Sequence, residues 1–409
     1  MSRAIPAPVP TADTPAAGTG NVPLIALCVT EITSWGVLYY AFPVLAPAIT
    51  TDTGWSTPAI TAAFSAALVV AALIGIPVGR LLDQRGPRAL MTGGSVLATI
   101  SLLVLAAAPN LAWFTLAWLL AGIAMSAVLY QPAFAALTRY YAPRHLAALT
   151  TLTLVAGLAS TVFAPLTDAL ATHLSWRHTY LALAAVLAAI TIPLHAIALR
   201  RPWPAHTTTA ANNPSEAVAA VVRSRAFVLL AAALTLSGFA MYAVLTNLIG
   251  LLTTRGASPT TAAWALGLGG IGQVAGRLGY GLLVRHTSVR TRTVWILALS
   301  AATTGALAAL PGPVALLIAV AVLAGTTRGI ATLLQATAVT DRWGTTSYAT
   351  LSGVLAAPIT IAAAIAPWAG AALASTLGGY PALFTALTAT AALSALLATG
   401  STPAHHPLK

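Results

Sequence analysis

Acidic residues and cysteines are scarce in this chain. Only 7 of its 409 residues are Asp or Glu, and charged residues of both signs make up 6% of the sequence, whereas a soluble globular chain carries about 25%. This composition excludes a water-soluble enzyme, a nucleic-acid-binding protein and a disordered chain. The single cysteine, Cys28, excludes an intrachain disulfide framework and a metal site built from several thiolates.

Long apolar runs dominate what is present. Hydrophobic residues make up 58% of the chain. A bilayer core of about 30 Å needs about 20 apolar residues per helix, and runs of that length recur throughout, rich in Ala and Leu rather than alternating as transmembrane strands do. The sequence therefore predicts an all-α membrane protein with twelve transmembrane helices. The predicted helices cover residues 22–49, 58–79, 89–107, 112–137, 147–171, 179–199, 226–252, 259–284, 293–310, 313–338, 349–374 and 381–399.

The basic residues indicate the orientation in the membrane. The net charge of +12 comes from 19 Lys and Arg, which are scattered between apolar runs rather than clustered as on a nucleic-acid-binding surface. Fifteen of them fall on one side of the predicted helices, Arg177 and Arg255 on the other, and Arg277 and Arg328 within helices. By the positive-inside rule, both termini are expected in the cytoplasm of a multi-pass cell-membrane protein.

Internal similarity divides the chain into two halves. A shift of 202 residues superposes Gly36 on Gly238, and a shift of 203 residues superposes Gly122 on Gly325. Such repeats are typical of membrane proteins built from two related bundles. The composition of residues 1–20, rich in Pro, Ala and Thr, predicts disorder. The predicted organisation is a tail at 1–21, six-helix bundles at 22–199 and 226–399, a cytoplasmic linker at 200–225 and a tail at 400–409.

A charged loop joins the second and third predicted helices. Residues 79–88 have the sequence Gly-Arg-Leu-Leu-Asp-Gln-Arg-Gly-Pro-Arg. We expect Gly79 to allow close helix contact, Gly86 to permit a sharp turn, and Asp83 to pair with nearby cations. We call this segment the gating loop and assign to it Gly79, Asp83, Arg85, Gly86 and Arg88. The alternative is a charged loop that only sets topology.

The gating loop resembles the signature loop of the major facilitator superfamily, Gly-x-x-x-Asp-Arg-x-Gly-Arg-Arg. The match falls at Gly79, Asp83, Gly86 and Arg88, with Arg85 one place after the first basic position of the family. In the second half, Arg285 stands where the aspartate would be. The resemblance covers the whole chain, and it implies two pseudo-symmetric six-helix bundles that work by alternating access.

A narrower resemblance concerns one branch of that superfamily. Residues 40–43, with the sequence Tyr-Ala-Phe-Pro, and Arg277 with Gly281 in the eighth helix are similar to the monocarboxylate porters and oxalate/formate antiporters. In those families an arginine of the eighth helix binds the substrate carboxylate, and Arg277 is at the matching position. Gln273, one turn earlier, replaces an aspartate found in some members.

Four ionisable residues inside predicted helices are candidate functional groups, because such residues are costly in a membrane. Arg328 and Arg277 are candidate contacts for an anionic solute; the alternatives are pairing of Arg328 with an acidic residue and a position of Arg277 at the membrane boundary. Glu31 and Asp168 are candidate proton carriers. Their alternatives are an ion pair for Glu31 and solvation at the helix end, near Trp176 and Arg177, for Asp168.

Aromatic and amide side chains inside the predicted helices complete a candidate pocket. Trp35 and Tyr39 are four residues apart and so share one helix face. Each of these side chains, taken singly, has packing or interfacial anchoring as an alternative role. The predicted group contains Trp35, Tyr39, Tyr40, Tyr130, Gln131, Tyr242, Asn247, Gln273 and Gln335.

These patterns favour a secondary active transporter rather than an enzyme. The sequence has no Gly-x-x-x-x-Gly-Lys-Ser/Thr phosphate loop, and His173 and His178 lack a third ligand nearby in the sequence for a metal. We expect no cofactor and no metal, a monomer surrounded by lipid, and a small organic anion as solute, moved with or against protons. The alternatives are efflux of a drug or secondary metabolite and a non-transporting receptor or scaffold.

Overall fold

The computed structural model describes residues 20–141, 145–203, 215–344 and 348–403, and within these ranges it contains twelve helical spans. We number them 1 to 12 in chain order. We call the face on which Gly20 and Ser401 lie the terminal face, and the opposite one the distal face. The spans are Val22–Thr53, Thr57–Arg85, Pro87–Ala106, Leu111–Tyr140, His145–Ala156 continued by Ala159–Ala171, Trp176–Ala198, Arg225–Thr254, Pro259–His286, Val289–Ala309, Val314–Thr337, Tyr348–Thr376 and Tyr380–Ala398.

The predicted all-α, twelve-helix architecture is confirmed. Eleven spans in the described part of the chain are long and apolar enough to cross a membrane by themselves. The other, span 8 (Pro259–His286), is long enough, but its glycines and Arg277 lower its hydropathy. Several helices also exceed the predicted limits, as in span 2, which extends to Arg85. Apolar runs indicate the membrane core, whereas a helix continues to the membrane surface.

The predicted linker and tails are described only in part. In the linker, the helix Ser215–Arg223 leads towards span 7, and residues 204–214 lie outside the described ranges. Residues 1–19 and 404–409, which make up most of the two tails, lie outside them as well.

Three spans of the first half are interrupted near their middle. Span 1 contains a turn of π-helix at Gly36–Tyr40, where a methyl group on Gly36 would overlap the ring of Phe163. Span 4 breaks at Leu129, which has extended backbone dihedrals three residues before Pro132. Span 5 breaks between Ala156 and Ala159. Irregular backbone at membrane depth is tolerated where it is buried in protein or lines a cavity, so these breaks indicate where the interior opens.

The two halves pack in corresponding ways. Spans 2 and 4 pack together in the first half as spans 8 and 10 do in the second, and spans 3 and 6 pack together as spans 9 and 12 do. Between the halves, span 2 packs on span 11 and span 5 packs on span 8. Span 2 corresponds to span 8 and span 5 to span 11, so the two contacts are equivalent under exchange of the halves. The packing therefore has the two-fold pseudo-symmetry predicted for the fold.

A repeated glycine explains part of the internal similarity. A methyl group on Gly122 of span 4 would overlap the carbonyl oxygen of Ala67 in span 2, and one on Gly325 of span 10 would overlap the carbonyl oxygen of Gly269 in span 8. Small residues let helices approach closely in membranes, where packing rather than the hydrophobic effect drives helix association. The match of Gly122 with Gly325 in the sequence thus marks equivalent helix contacts.

An ion pair stabilises the terminal face of the second half. Arg292, which is 3% exposed, donates from Nη2 to Asp341 Oδ2 at 2.6 Å, and Thr337 donates from Oγ1 to the same oxygen at 3.0 Å. The neighbouring Arg342 donates to the carbonyl of Ser401 at 2.9 Å, and burial lowers its pKa to about 10. The second half therefore has an acidic partner for its arginines, although Arg285 replaces the aspartate of the loop motif.

Asp341→Asn is expected to lower the free energy of unfolding by about 3 kcal/mol, because it leaves the buried Arg292 without its counter-charge. Thermal unfolding of the purified protein in detergent measures the effect. Asp52→Asn is the matched control: the pair of Asp52 with Arg177 is well exposed, so its loss is expected to change the unfolding temperature little. Equal losses in the two variants would contradict the prediction.

Candidate functional site

A central cavity lies at the interrupted spans, between the two halves. It has a volume of about 60 Å³, and both halves contribute to its lining. Two larger cavities adjoin it and share lining residues with it: a terminal cavity of about 420 Å³ towards the terminal face and an apolar cavity of about 290 Å³ beside spans 2 and 11. The central cavity is lined by Trp35, Tyr39, Tyr40, Tyr130, Ala156, Met241, Tyr242, Leu245, Gln273, Arg277, Arg328 and Thr332.

Five of the predicted aromatic side chains form one wall of this cavity. The ring centroid of Trp35 lies 5.5 Å from that of Tyr39 and 5.1 Å from that of Tyr130. Tyr39 in turn contacts Tyr40, at 5.3 Å, and Tyr242 of the other half, at 6.5 Å. The π-helical turn of span 1 carries both Tyr39 and Tyr40. The aromatic cluster therefore spans the boundary between the halves.

The opposite wall carries two arginines held by neutral groups. Arg328 donates from Nε to Gln273 Oε1 at 2.9 Å, and Arg277 donates from Nε to Thr332 Oγ1 at 3.4 Å. Arg277 also donates from Nη1 to the backbone carbonyl of Thr153 in the first half. Gln273 and Arg277 lie one turn apart on span 8, and Arg328 and Thr332 lie one turn apart on span 10. Each helix thus supplies one arginine and the neutral side chain that accepts a hydrogen bond from the arginine of the other helix.

Glycines bring these two helices together. Methyl groups on Gly272 and Gly276 of span 8 would overlap the carbonyl oxygens of Val322 and Thr326 in span 10. In the other direction, a methyl group on Gly329 would overlap the carbonyl oxygen of Gln273. This contact fixes the helices at a short separation and so sets the height at which Gln273 meets Arg328. The small-x-x-x-small spacings at 272–276 and 325–329 could have predicted it.

Neither arginine has a carboxylate within 4.0 Å among the side chains that the structure describes. The alternative of an ion pair between Arg328 and Glu31 or Asp168 is therefore not the arrangement here. Arg277 is 9% exposed, contacts Thr332 and Thr153, and lines the central cavity. The site thus carries two cations whose partners are neutral.

Glu31 lies one turn before Trp35 on span 1. It is fully buried, and neither of its carboxylate oxygens has a hydrogen-bond partner in the described part of the chain; the same holds for Trp35 Nε1. Among the described side chains, no cation lies within 4.0 Å of Glu31, so the alternative of an ion pair is not the arrangement there. A buried carboxylate without a counter-charge is stable only when protonated or when another group reaches it.

Asp168 is also buried, at 7% exposure, but it does not line the central cavity as described above. Trp176 and Arg177, which the sequence suggested as its neighbours, contact Asp52 instead: Trp176 Nε1 donates to Asp52 Oδ2 at 2.8 Å. Both roles suggested for Asp168, that of a proton carrier and that of a carboxylate solvated at the helix end, stay predictions. Two candidate proton carriers thus remain, in different places.

Three predicted polar residues lie outside the central cavity. Gln131 lines the apolar cavity and Gln335 the terminal cavity. Asn247 lines none of the three cavities described here; its Nδ2 donates to the carbonyl of Ala243 at 2.9 Å, and it packs against Gly370 of span 11. The structure thus places Asn247 outside these cavities, and its role in solute binding stays a prediction. Its position on span 7 turns it towards span 11 instead.

The gating loop closes span 2 with a turn. Gly86 has φ +78°, a conformation that favours glycine, and a methyl group there would lie 3.2 Å from Trp203. Arg88 donates from Nε to the carbonyl of Ala196, at the end of span 6, at 2.8 Å. Arg85 is exposed at the end of span 2. The side chain of Asp83 lies outside the described part of the structure.

The expected close contact at Gly79 is not formed with any described atom in this conformation. A methyl group there would meet no described atom within 4 Å. Span 11 contacts span 2 further towards the distal face, where Ser65 and Trp368 meet.

Several residues of the site were not predicted. Thr332 could have been found, because it follows Arg328 by one helical turn and shares its face. Thr153 contributes only its backbone carbonyl, which side-chain patterns do not reveal. Met241 and Phe134, which line the central and the terminal cavity respectively, have no sequence signal that distinguishes them from packing residues.

Comparisons with known proteins agree with this architecture. Over 214 residues the chain is 30% identical to monocarboxylate transporter 13 of Bos taurus, and over 213 residues it is 28% identical to monocarboxylate transporter 13 of Rattus norvegicus. Each alignment covers 51% of this chain, against 49% and 48% of those proteins. The chain thus matches about half the length of these curated relatives.

Two solved transporter structures have a similar fold. A bacterial homologue of the human lysosomal transporter Spinster, inward-facing and occupied, has a TM-score of 0.71 at 16% identity and covers 94% of this chain and 97% of its own. The nucleoside transporter NupG has a TM-score of 0.71 at 13% identity and covers 92% and 98%. The model of the Major Facilitator Superfamily matches residues 27–357. The chain therefore belongs to the major facilitator superfamily of membrane transporters, as the sequence predicted.

Proposed function

We propose that this protein is a secondary active transporter for a small, monocarboxylate-like organic anion, coupled to protons and working by alternating access as a monomer. The observation that carries the proposal is the pair Arg277 and Arg328 at the central cavity, which have no carboxylate partner among the described side chains. A guanidinium cannot lose its charge at physiological pH. An anionic solute would supply the counter-charge that the chain does not.

The aromatic wall and the adjoining cavities support this class of solute. A carboxylate can accept two parallel hydrogen bonds from one guanidinium, and the apolar cavity beside it, lined by residues such as Leu68 and Ala364, can hold a non-polar body. The terminal cavity, which shares Arg277 and Thr332 with the central cavity, offers a route to it. The names of the mammalian relatives are consistent with a monocarboxylate.

Contacts between the halves support alternating access. On the distal side of the cavities, Thr161 donates to the carbonyl of Gly267 at 2.7 Å, and the backbone amide of Trp368 donates to Ser65 Oγ at 3.0 Å. On the terminal side the halves enclose the terminal cavity. If the terminal face is cytoplasmic, as the basic residues predict, this conformation takes up solute from the cytoplasmic side. Opening to the other side requires the distal contacts to break.

The transport assay that tests the proposal is counterflow in proteoliposomes containing the purified protein. Labelled monocarboxylates of increasing size are offered to vesicles preloaded with the same unlabelled acid. We expect exchange with carboxylates and none with the corresponding neutral amides, since an amide cannot neutralise Arg277 and Arg328. Exchange of amides at the same rate, or no exchange of any carboxylate, would refute the anion assignment.

Glu31 is the better candidate for proton coupling, because it is fully buried without a partner one turn from Trp35 of the central cavity. In Glu31→Gln, we expect counterflow to persist and accumulation driven by an imposed pH gradient to be lost. Asp168→Asn is the matched comparison, since it removes the other acidic candidate. Gradient-driven accumulation that survives in Glu31→Gln but not in Asp168→Asn would transfer the role to Asp168.

A second candidate function is proton-driven efflux of a drug or secondary metabolite. The apolar cavity of about 290 Å³, lined mainly by non-polar and aromatic side chains, favours it. The same vesicles distinguish the two functions. Transport of lipophilic neutral or cationic compounds, unaffected by an excess of monocarboxylate, would favour efflux.

A further inference from the structure

We propose that a groove between spans 1 and 6, at the terminal face, binds an anionic phospholipid. The groove has a volume of about 540 Å³ and lies outside the cavities of the transport pathway. Its walls are apolar and include Val22 and Ile197, which are 61% and 60% exposed on the outer surface of the bundle. An exposed apolar groove on a membrane-spanning bundle faces the acyl chains of the surrounding lipid.

Arginines lie at the terminal end of the groove. Arg200 and Arg201 line it, immediately after the end of span 6. Arg200 donates from Nε to the carbonyl of Ala196 at 3.4 Å, and Arg88 donates from Nε to that same oxygen at 2.8 Å. Because both Nε atoms share one acceptor, the two guanidinium groups lie side by side, and neither Nη group of either has a protein partner among the described residues.

The segment that carries these arginines is fixed in place. Arg201 donates from Nη2 to the carbonyl of Gly20 at 2.9 Å. Two residues later, the rings of Trp203 and Tyr140 pack edge to face at a centroid distance of 5.8 Å, and the guanidinium of Arg139 lies over the Trp203 ring at 4.3 Å. These contacts fix the backbone that carries Arg200 and Arg201, so the positions of the two guanidinium groups do not depend only on their flexible side chains. Their backbone is held against the end of the bundle.

No carboxylate lies within 4.0 Å of Arg88, Arg200 or Arg201 among the described side chains. Adjacent like charges need an anion, and phosphate accepts parallel hydrogen bonds from guanidinium groups. The end of a membrane span is also the depth at which phospholipid headgroups lie. A groove for an acyl chain that ends in arginines therefore fits a phospholipid with a net negative charge rather than a free inorganic anion.

The test measures lipid binding to the full-length protein in detergent, by native mass spectrometry with phosphatidylglycerol and phosphatidylcholine as probes. We expect preference for phosphatidylglycerol, and a loss of about tenfold in its affinity in the double variant R200Q/R201Q. R285Q/R290Q removes two exposed arginines from the same face of the other half and is the matched control. Ile197→Trp, which fills the groove without changing charge, is expected to weaken binding as well.

Four outcomes would overturn the proposal. Equal loss in R200Q/R201Q and R285Q/R290Q would mean that the net charge of the face, not this groove, attracts the lipid. Unchanged affinity in Ile197→Trp would remove the acyl chain from the groove. Competition by inorganic phosphate at the concentration used for phosphatidylglycerol would indicate a site for a free anion. Competition by a synthetic peptide of residues 1–19 would indicate that the chain's own terminal segment occupies the groove.

Discussion

Replacing Arg277 by glutamine is expected to reduce carboxylate counterflow about 100-fold. In the proposed complex, Arg277 and the carboxylate of the solute form a buried charge pair. Removing one partner of such a hydrogen-bonded pair costs about 2 to 5 kcal/mol, and each 1.4 kcal/mol corresponds to about tenfold in affinity. Arg277 contacts the opposite half through Thr153 as well as lining the central cavity. Its loss therefore affects both solute binding and the contact between the halves. Arg328→Gln is expected to have a similar effect on binding.

The matched control is Arg285→Gln. Arg285 lies on the same span, two turns beyond Arg277, but is exposed at the terminal face. The Arg285→Gln substitution changes the net charge by the same amount as Arg277→Gln, and we expect it to leave counterflow unchanged. Arg277→Lys separates charge from geometry: an ammonium keeps the charge but cannot make the bidentate contact, so we expect an intermediate rate. Normal counterflow in Arg277→Gln and Arg328→Gln would exclude an anionic solute at this cavity.

Gly329→Leu is expected to prevent correct assembly of the second half. Any side chain at this position overlaps the carbonyl oxygen of Gln273, so spans 8 and 10 must separate. Inserting extra methylenes into a packed core costs about 1 to 3 kcal/mol, and an overlap with backbone leaves less room for relaxation than an overlap with a side chain. Separation also breaks the contact between Arg328 and Gln273.

The yield of monodisperse protein from size-exclusion chromatography, together with thermal unfolding in detergent, measures this effect. Gly279→Leu is the control on span 8, because a side chain at Gly279 meets nothing within 4 Å in the described structure. We expect normal yield and unfolding temperature for Gly279→Leu, and a strong loss of both for Gly329→Leu. Equal behaviour of the two variants would show that close packing at Gly329 is not required.

Much of the fold could be predicted because its signals are local. A run of about 20 apolar residues is enough to identify a membrane-spanning helix, and even the glycine-rich span 8, which falls short in hydropathy, is required to connect spans 7 and 9. The correspondence of Gly122 with Gly325 was visible in the sequence as well. The physical reason for this correspondence became clear only from the structure, because both glycines allow a neighbouring helix to bring a backbone carbonyl close.

The candidate site was predictable to a lesser degree. Arg277, Arg328 and the tyrosines of span 1 could be named because ionisable and polar aromatic residues are uncommon inside spans. Asn247 could not be separated from them, since composition does not say which way a residue faces after helices pack. The partners of the arginines, Gln273, Thr332 and the Thr153 carbonyl, depend on the height and rotation of spans 5, 8 and 10.

By itself, the sequence determined the membrane environment, the twelve helices, the two-fold repetition and the small number of charges available to the interior, because each depends only on hydropathy and residue type along the chain. The tertiary structure decided which of these charges meet. Arg277 and Arg328 come together at one cavity, neither Glu31 nor Asp168 pairs with a cation among the described side chains, and Asp341 pairs with Arg292. The reason is physical: side chains far apart in the chain become neighbours only when helices pack, and glycines set how closely spans 8 and 10 do so.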